Sequence, residues 1–320
     1  MPELPRYSQS TIPVGTLGNG HELSIVVHRL EGGVGSGPTI GIAGGVHGDE
    51  PDTVEYVRAF LEKLRTTPFS GTVIAVSCAN PLAYESRTRN TPNDMIDLNR
   101  IFPGDPDGLL THQLAHKLYG VFKGTCEYFV DFHCGGIFPT VDYVYLHGDE
   151  GLAKSVGSRL LYTGASYNGS LAYCLEQAGL KTTVIELGGG RVSSVPATER
   201  AVAALTRVLT YAGCLEGKVE ERSDQVVLNK MHIVRPHYGG MLVSELKLYQ
   251  LGTLLPKGTL VGRIVSPQTL ETLEELRTPF EPSAVVLARE GFTPASIGDY
   301  AFMFGQPAEI DPDNHKEGRQ

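Results

Sequence analysis

Apolar residues in this chain fall into short blocks, and their spacing alternates between two kinds. Residues 38–46 are a run of small and β-branched residues, the pattern of a strand buried on both faces. Directly after it, Val54, Val57, Phe60, Leu61 and Leu64 recur at three- and four-residue intervals, which predicts a helix. Pro51 suits the first turn of that helix, where no N–H is needed, and Asp49 is placed to cap it. The alternation continues downstream. Strands are predicted at 21–30, 71–79, 127–133, 141–146 and 182–187, and helices at 109–123, 151–161, 171–178 and 196–212. Ser170 caps the helix that Gly179 ends. Strands alternating with helices argue for an α/β domain with a largely parallel sheet flanked by helices.

After residue 220 the helical period disappears, and short strands separated by Gly and Pro take over at 232–234, 240–243, 259–265, 284–288 and 300–304. This predicts a small all-β, barrel-like domain resembling the biotinyl/lipoyl type. The lysine that such carriers modify at a hairpin tip is missing, the turn reading Ser266-Pro267-Gln268-Thr269, so the domain is read as structural or lid-forming. The expected organisation is an α/β domain over 1–222, the β domain over 223–310 and a polar tail over 311–320.

Composition narrows the partners. The 320 residues are 41% hydrophobic and 20% charged, an ordinary globular balance. A net charge of -9 argues against nucleic acid or an anionic membrane as the main partner, though a few arginines suffice to bind a small anion. No run approaches the ~18 apolar residues of a membrane span, and the N-terminal residues lack the apolar core of a signal peptide. Five scattered cysteines without C-x-x-C spacing suggest reduced thiols in a cytoplasmic protein. A small-molecule substrate is expected, and a homo-oligomer is compatible with the sequence.

The candidate chemistry lies where strands end. His47 and Glu50, three apart, sit where the buried strand hands over to its helix, the usual ligand position in open α/β sheets. An imidazole and a carboxylate aimed at one point match zinc, which takes such ligands at about 2.0–2.2 Å. Taken alone, the pair also fits a merely polar turn. His133, closing the strand at 127–133, is the third candidate, and two His with one Glu and a water is a catalytic zinc shell. Glu186 ends another strand before three glycines, and a carboxylate beside metal-bound water acts as general base and then general acid. The polar loop over 82–103 carries Arg87, Arg89, Asp97, Asn99 and Arg100, cationic and amide groups for an oxyanion and a substrate carboxylate. His112 and His116 lie four apart on a helix with no carboxylate beside them, and Cys134 points away from its neighbour His133 if strand alternation holds.

Together, His47-Gly48-Asp49-Glu50, Asp97-Leu98-Asn99-Arg100-Ile101-Phe102-Pro103-Gly104, Asp131-Phe132-His133 and Ile185-Glu186-Leu187-Gly188-Gly189 resemble the succinylglutamate desuccinylase/aspartoacylase family of the zinc-carboxypeptidase clan. The resemblance implies a carboxypeptidase-like sheet and one Zn2+ held by His47, Glu50 and His133. It implies Glu186 as the catalytic carboxylate, Asn99 and Arg100 as the pair on the substrate's carboxylate, and Asp97 as the acid orienting a ligand imidazole. Arg89 matches the arginine at the oxyanion, with Arg87 its competitor two residues away. Aspartoacylases also carry Tyr and Arg shortly before the catalytic Glu to read an acidic side chain. Here Ala172 and Glu176 stand at comparable places, so that specificity is not implied. The expected activity is zinc-dependent hydrolysis of an N-acyl amide bond in a small carboxylate-bearing substrate. The alternatives are a metallocarboxypeptidase acting on short peptides, and a catalytically silent metal-binding protein.

Overall fold

The computed structural model describes residues 3–164, 166–190, 195–220 and 222–308, so the predicted polar tail lies outside the described residues. The chain divides into two compact units, Met1–Asp224 and Gln225–Gln320, against an expected boundary at 222.

The first unit runs β1 (Arg6–Thr16), β2 (Glu22–Glu31), β3 (Gly35–Ala43), α1 (Pro51–Leu64), β4 (Ser70–Val76), α2 (Pro81–Ser86), α3 (Leu110–Phe122), β5 (Tyr128–His133), β6 (Tyr143–Tyr145), α4 (Glu150–Ser155), β7 (Leu160–Tyr162), α5 (Leu171–Gln177), β8 (Lys181–Glu186) and α6 (Val195–Tyr211). Its strands lie in the order β1-β2-β4-β3-β5-β8-β6-β7. The four central strands, β4, β3, β5 and β8, are mutually parallel. Antiparallel pairing joins β1 to β2, β2 to β4 and β6 to β8. The sheet is therefore mixed, with a parallel centre and antiparallel flanks.

Side-chain alternation in β5 shows how the layers form. Phe129 faces one side and packs on Phe122 of α3, ring centroids 4.8 Å apart. Phe132, on the other face, meets Tyr56 of α1 edge-on at 5.9 Å. The first face carries a core of Ile25, Val27, Ile74, Val76, Phe129 and Val184 against Leu114 and Leu118 of α3 and Leu171 and Leu175 of α5. Asp131 and His133 share the face of Phe129, so their side chains come up on the α3/α5 side.

Three local expectations are corrected. Residues 151–161 do not form one helix: α4 stops at Ser155, Gly157 adopts a φ of +86°, and buried Leu160 and Leu161 enter β7. The capping position of α1 is Glu50, not Asp49, and it caps with no side-chain hydrogen bond because its carboxylate is turned to two histidines. Pro51 does take the first helical position. The long polar loop contains α2, started by Asn80 Oδ1 accepting from the Ala83 N–H at 3.1 Å, and a single 3-10 turn at Leu98–Arg100. Strand β1 carries no periodic signal because most of its residues are exposed and only Val14 is buried.

The second unit consists of β9 (Val226–Val234), β10 (Gly240–Ser244), β11 (Leu254–Leu255), β12 (Leu260–Val265), β13 (Thr272–Arg277), β14 (Ser283–Leu287), β15 (Phe292–Ala295) and β16 (Phe302–Pro307). Antiparallel pairings make two layers, β9-β16-β14-β11 and β13-β12-β10-β15, around Leu242, Val261, Ile264, Val285, Phe302 and Phe304. The strand predicted over 232–234, which begins at His232, lies within the longer β9. No described helix is long and apolar enough to cross a membrane.

Candidate metal centre

Parallel pairing of β3, β5 and β8 brings three strand ends to one edge. Ala43 is in register with Asp131, and His133 with Glu186. His47 follows the end of β3 by four residues, His133 closes β5 and Glu186 closes β8. The turn that carries His47 is tightly constrained. Gly48 N–H donates to the Thr88 carbonyl at 2.9 Å, and a Cβ on Gly48 would lie 1.9 Å from the Ala83 carbonyl, so only glycine fits.

His47, Glu50 and His133 are all buried, and one ligand atom from each lies within 4.8 Å of the others. Glu50 sits between the imidazoles: Oε1 is 2.8 Å from His47 Nδ1, and Oε2 is 3.0 Å from His133 Nδ1. The Cys134 backbone N–H also donates to Oε2, at 3.1 Å. Burial works against the charge of Glu50, and the two histidines outweigh it, holding the carboxyl well below its usual range. Both imidazoles are raised in turn, against the cost of burial, by the carboxylates around them. Among the described residues this is the one group of three or more His, Cys, Asp or Glu side chains arranged to hold a metal.

The far ring nitrogens test whether the donor set suits zinc. His47 Nε2 is 3.2 Å from Asp97 Oδ1, leaving Nδ1 to face the cluster. His133 Nε2 stands 3.1 Å from Asn99 Nδ2 and 3.3 Å from Asp131 Oδ2. Asp131 is fully buried, and neither carboxylate oxygen makes a hydrogen bond among the described residues. A buried carboxylate without a donor is costly. A histidine that ligates through Nδ1 carries its proton on Nε2, and Asp131 is the acceptor such a proton needs. The residues present therefore fit one zinc ion with His2Glu ligation.

Glu186, adjacent across the β5–β8 pairing, is only half-buried as a residue. Its carboxyl is nonetheless enclosed: burial raises its pKa, Glu50 raises it further, and despite the opposing histidines it is pushed up to about 8. Arg89 lies beside the cluster. Its Nε donates to Asp97 Oδ2 at 3.0 Å, and Nη1 is 3.7 Å from Glu50 Oε1. Arg87 sits exposed at the end of α2 in the left-handed conformation, with a φ of 54°. Arg100 is exposed, donates to the Asn99 carbonyl and lies over the Tyr167 ring, 4.1 Å from its centroid.

Asn99 Oδ1 accepts from the Leu171 N–H at 2.9 Å, which fixes the amide against the start of α5, while its Nδ2, 3.1 Å from His133 Nε2, keeps its hydrogens to donate. Cys134 is buried, its thiol pushed up by burial and by Glu50, in keeping with an inert thiol. Sequence reasoning assigned no role to Asp131, and only the fold places it behind His133.

A His2Glu cluster at the carboxyl edge of a mixed α/β sheet, beside a carboxyl of raised pKa, is the donor arrangement used by zinc hydrolases. The chain belongs to the succinylglutamate desuccinylase/aspartoacylase family: residues 36–212 match the model of that family's catalytic domain. This is a family of deacylating hydrolases. The chain is 27% identical over 296 residues to the N-alpha-acetyl-L-2,4-diaminobutyric acid deacetylase of Halomonas elongata, covering 86% of this chain and 84% of that protein. Among solved structures, the succinylglutamate desuccinylase/aspartoacylase from Rhodobacter sphaeroides has a TM-score of 0.80 at 24% identity, covering 96% of this chain and 97% of the other. The product-bound ectoine utilization protein EutE from Ruegeria pomeroyi has a TM-score of 0.81 at 24% identity, covering 95% and 96%.

Proposed function

We propose that this protein is a zinc-dependent amidohydrolase that removes an acyl group from the nitrogen of a small, carboxylate-bearing substrate, an N-acyl amino acid. The observation that carries the reading is Glu186, held in register with His133 and beside the buried His47–Glu50–His133 cluster. The Halomonas relative, a deacetylase of an N-acetylated amino acid, supports the same class of bond. When bound, the zinc ion supplies Lewis acidity to the amide carbonyl and lowers the pKa of bound water to about 7.

The side chains perform the remaining work. Glu186, poised by burial near neutrality, takes a proton from the attacking water and delivers it to the leaving nitrogen. Arg89, held by Asp97, presents its guanidinium beside the cluster, where the oxyanion develops. Arg100, propped on Tyr167, anchors the substrate carboxylate. Asp97 and Asp131 hold the two imidazoles in orientation from behind.

The test is Glu186→Gln in zinc-loaded protein, assayed against N-acetyl amino acids and dipeptides side by side. The wild type is expected to hydrolyse the acetylated amino acids in preference to dipeptides. The variant is expected to lose on the order of 10^3-fold or more in kcat while its zinc content stays unchanged. Wild-type turnover in E186Q overturns the reading.

A further inference from the structure

Beyond Glu186 and Leu187 the chain runs through Gly188, Gly189 and Gly190, with φ values of +75°, +106° and +98°. Glycine has more conformational freedom to lose on folding than any other residue, so a general base beside such a run is poorly fixed unless the backbone beyond it is held. Here the segment that leaves His133 holds it. The Leu187 N–H donates to the His133 carbonyl at 3.0 Å, and the Gly190 N–H donates to the Gly136 carbonyl at 2.8 Å. Between them the Gly188 carbonyl accepts the N–H groups of Gly135 and Thr140, each at 3.3 Å. A Cβ on Gly189 would lie 2.6 Å from the Gly135 nitrogen, so the two backbones are in direct contact. The β5–β8 pairing thus continues as a seam past the ends of both strands, with His133 on one side and Glu186 on the other.

Two buried hydroxyls lock this seam. Thr140, in the segment between β5 and β6, donates its Oγ1–H to the Gly188 carbonyl. Tyr56 donates its hydroxyl to the Leu187 carbonyl at 3.2 Å. Tyr56 belongs to α1, the helix capped by the candidate ligand Glu50. Consecutive peptides, Leu187–Gly188 and Gly188–Gly189, are therefore each pinned by one side chain. The two backbone donors to Gly188 are long for N–H···O bonds, whose usual length is about 2.9–3.0 Å. The hydroxyl of Thr140 completes that hold.

We propose that Tyr56 and Thr140 are positioning residues for Glu186, fixing through its backbone how far its carboxyl stands from the His47–Glu50–His133 cluster. The inference rests on the deacylase reading of the preceding section, in which Glu186 moves the proton. The ring of His133 has holds of its own in Glu50 and Asp131. Glu186 makes no side-chain hydrogen bond among the described residues, so its backbone fixes it. Proton transfer requires the carboxyl within about 2.6–3.2 Å of the water. A misplacement of about 1 Å costs on the order of 100-fold in rate. Loosening the seam therefore lowers kcat and leaves substrate affinity and the zinc ligands in place.

The test measures kcat and KM for zinc-loaded wild type, T140V, T140S and Y56F, on the best substrate from a panel of N-acetyl amino acids with apolar, cationic and anionic side chains. T140V keeps the shape of the side chain and loses its hydroxyl. It is expected to lower kcat about tenfold or more, with KM and bound zinc within about twofold of wild type. T140S, which restores the hydroxyl, is expected to return kcat to within about twofold. Y56F keeps its ring against Phe132 and is expected to lower kcat about threefold or more. In the E186Q background, T140V is expected to change the residual turnover no further, since a residue acting through Glu186 then has nothing to position. Wild-type kcat in both T140V and Y56F overturns the assignment, and so does an additive loss in E186Q. A loss of zinc or a rise in KM that parallels the fall in kcat also overturns it, placing the two residues at the ligands or the substrate. Turnover of no panel member by the wild type overturns the deacylase reading and this inference with it. Thermal unfolding of each variant separates these outcomes from misfolding, and Y56F decides the matter if T140V does not fold.

Discussion

Asp131 and Glu186 are both carboxyls enclosed by the fold, and their surroundings assign them opposite duties. Asp131 has no hydrogen-bond donor of its own and stands 3.3 Å behind the ring of His133, so its charge has meaning only when that ring carries its proton on Nε2. Asp131→Asn is therefore expected to weaken zinc affinity by 10- to 100-fold, measured by competition with a chromophoric chelator. Equal affinity in variant and wild type would contradict the role. Glu186 keeps its proton up to about 8 in the metal-free fold, against an ordinary value of 4.5. Between those values the folded chain binds a proton that the unfolded chain has released, so metal-free stability falls as pH rises through that window. Glu186→Gln removes the penalty. Its melting temperature in chelator is expected to exceed that of the wild type at pH 8 and to match it at pH 5. A constant offset across the range would show that the titration of Glu186 is not the cause.

At the level of elements, the site depends on turns more than on helices. The segment between His47 and Glu50 closes against α2, with Gly48 in contact with the Ala83 carbonyl. Gly48→Ala has no side-chain movement available to relieve a 1.9 Å overlap with backbone, so the turn or α2 must shift. Lower zinc affinity together with a lower melting temperature is the expected result, read by chelator competition and thermal unfolding. The start of α5 is tied in the same manner, since the Leu171 N–H is satisfied by Asn99 and not by solvent. Asn99 Oδ1 is thereby engaged inside the fold, which fixes the direction of the amide and leaves the Nδ2 hydrogens as its donors.

Across the whole molecule, the two units each possess a core of their own. The candidate ligands all belong to the first unit, on segments separated by 83 residues between Glu50 and His133. A bound ion cross-links those segments only in the folded chain, so it stabilises by mass action. At free zinc a thousand times the Kd, the gain is about 4 kcal/mol. Chelation is accordingly expected to lower the melting temperature reversibly, with zinc add-back restoring it. Identical calorimetric traces with and without chelator would show that no tightly held ion contributes to the fold.

Much of this was legible in the chain itself. The buried strands and the helices between them follow from apolar spacing, and the candidate ligands His47, Glu50 and His133, with Glu186, fall where that spacing breaks at a strand end. Such signals are local, because a strand buried on both faces and a turn needing glycine leave their mark within a few residues. The exposed β1, the short β7 and the change of capping residue from Asp49 to Glu50 left no such mark, being decided by what each segment packs against. The same holds for the choice between Arg89 and Arg87, two residues apart in sequence and placed differently by the turn that ends α2. It holds most of all for Asp131 behind His133 and for the contacts of His147 with Glu176 and Ser166. Those contacts join residues 2 to 29 positions apart through sheet register and helix docking. Spacing along a chain encodes which residues share a face, but only the packed sheet determines which faces meet.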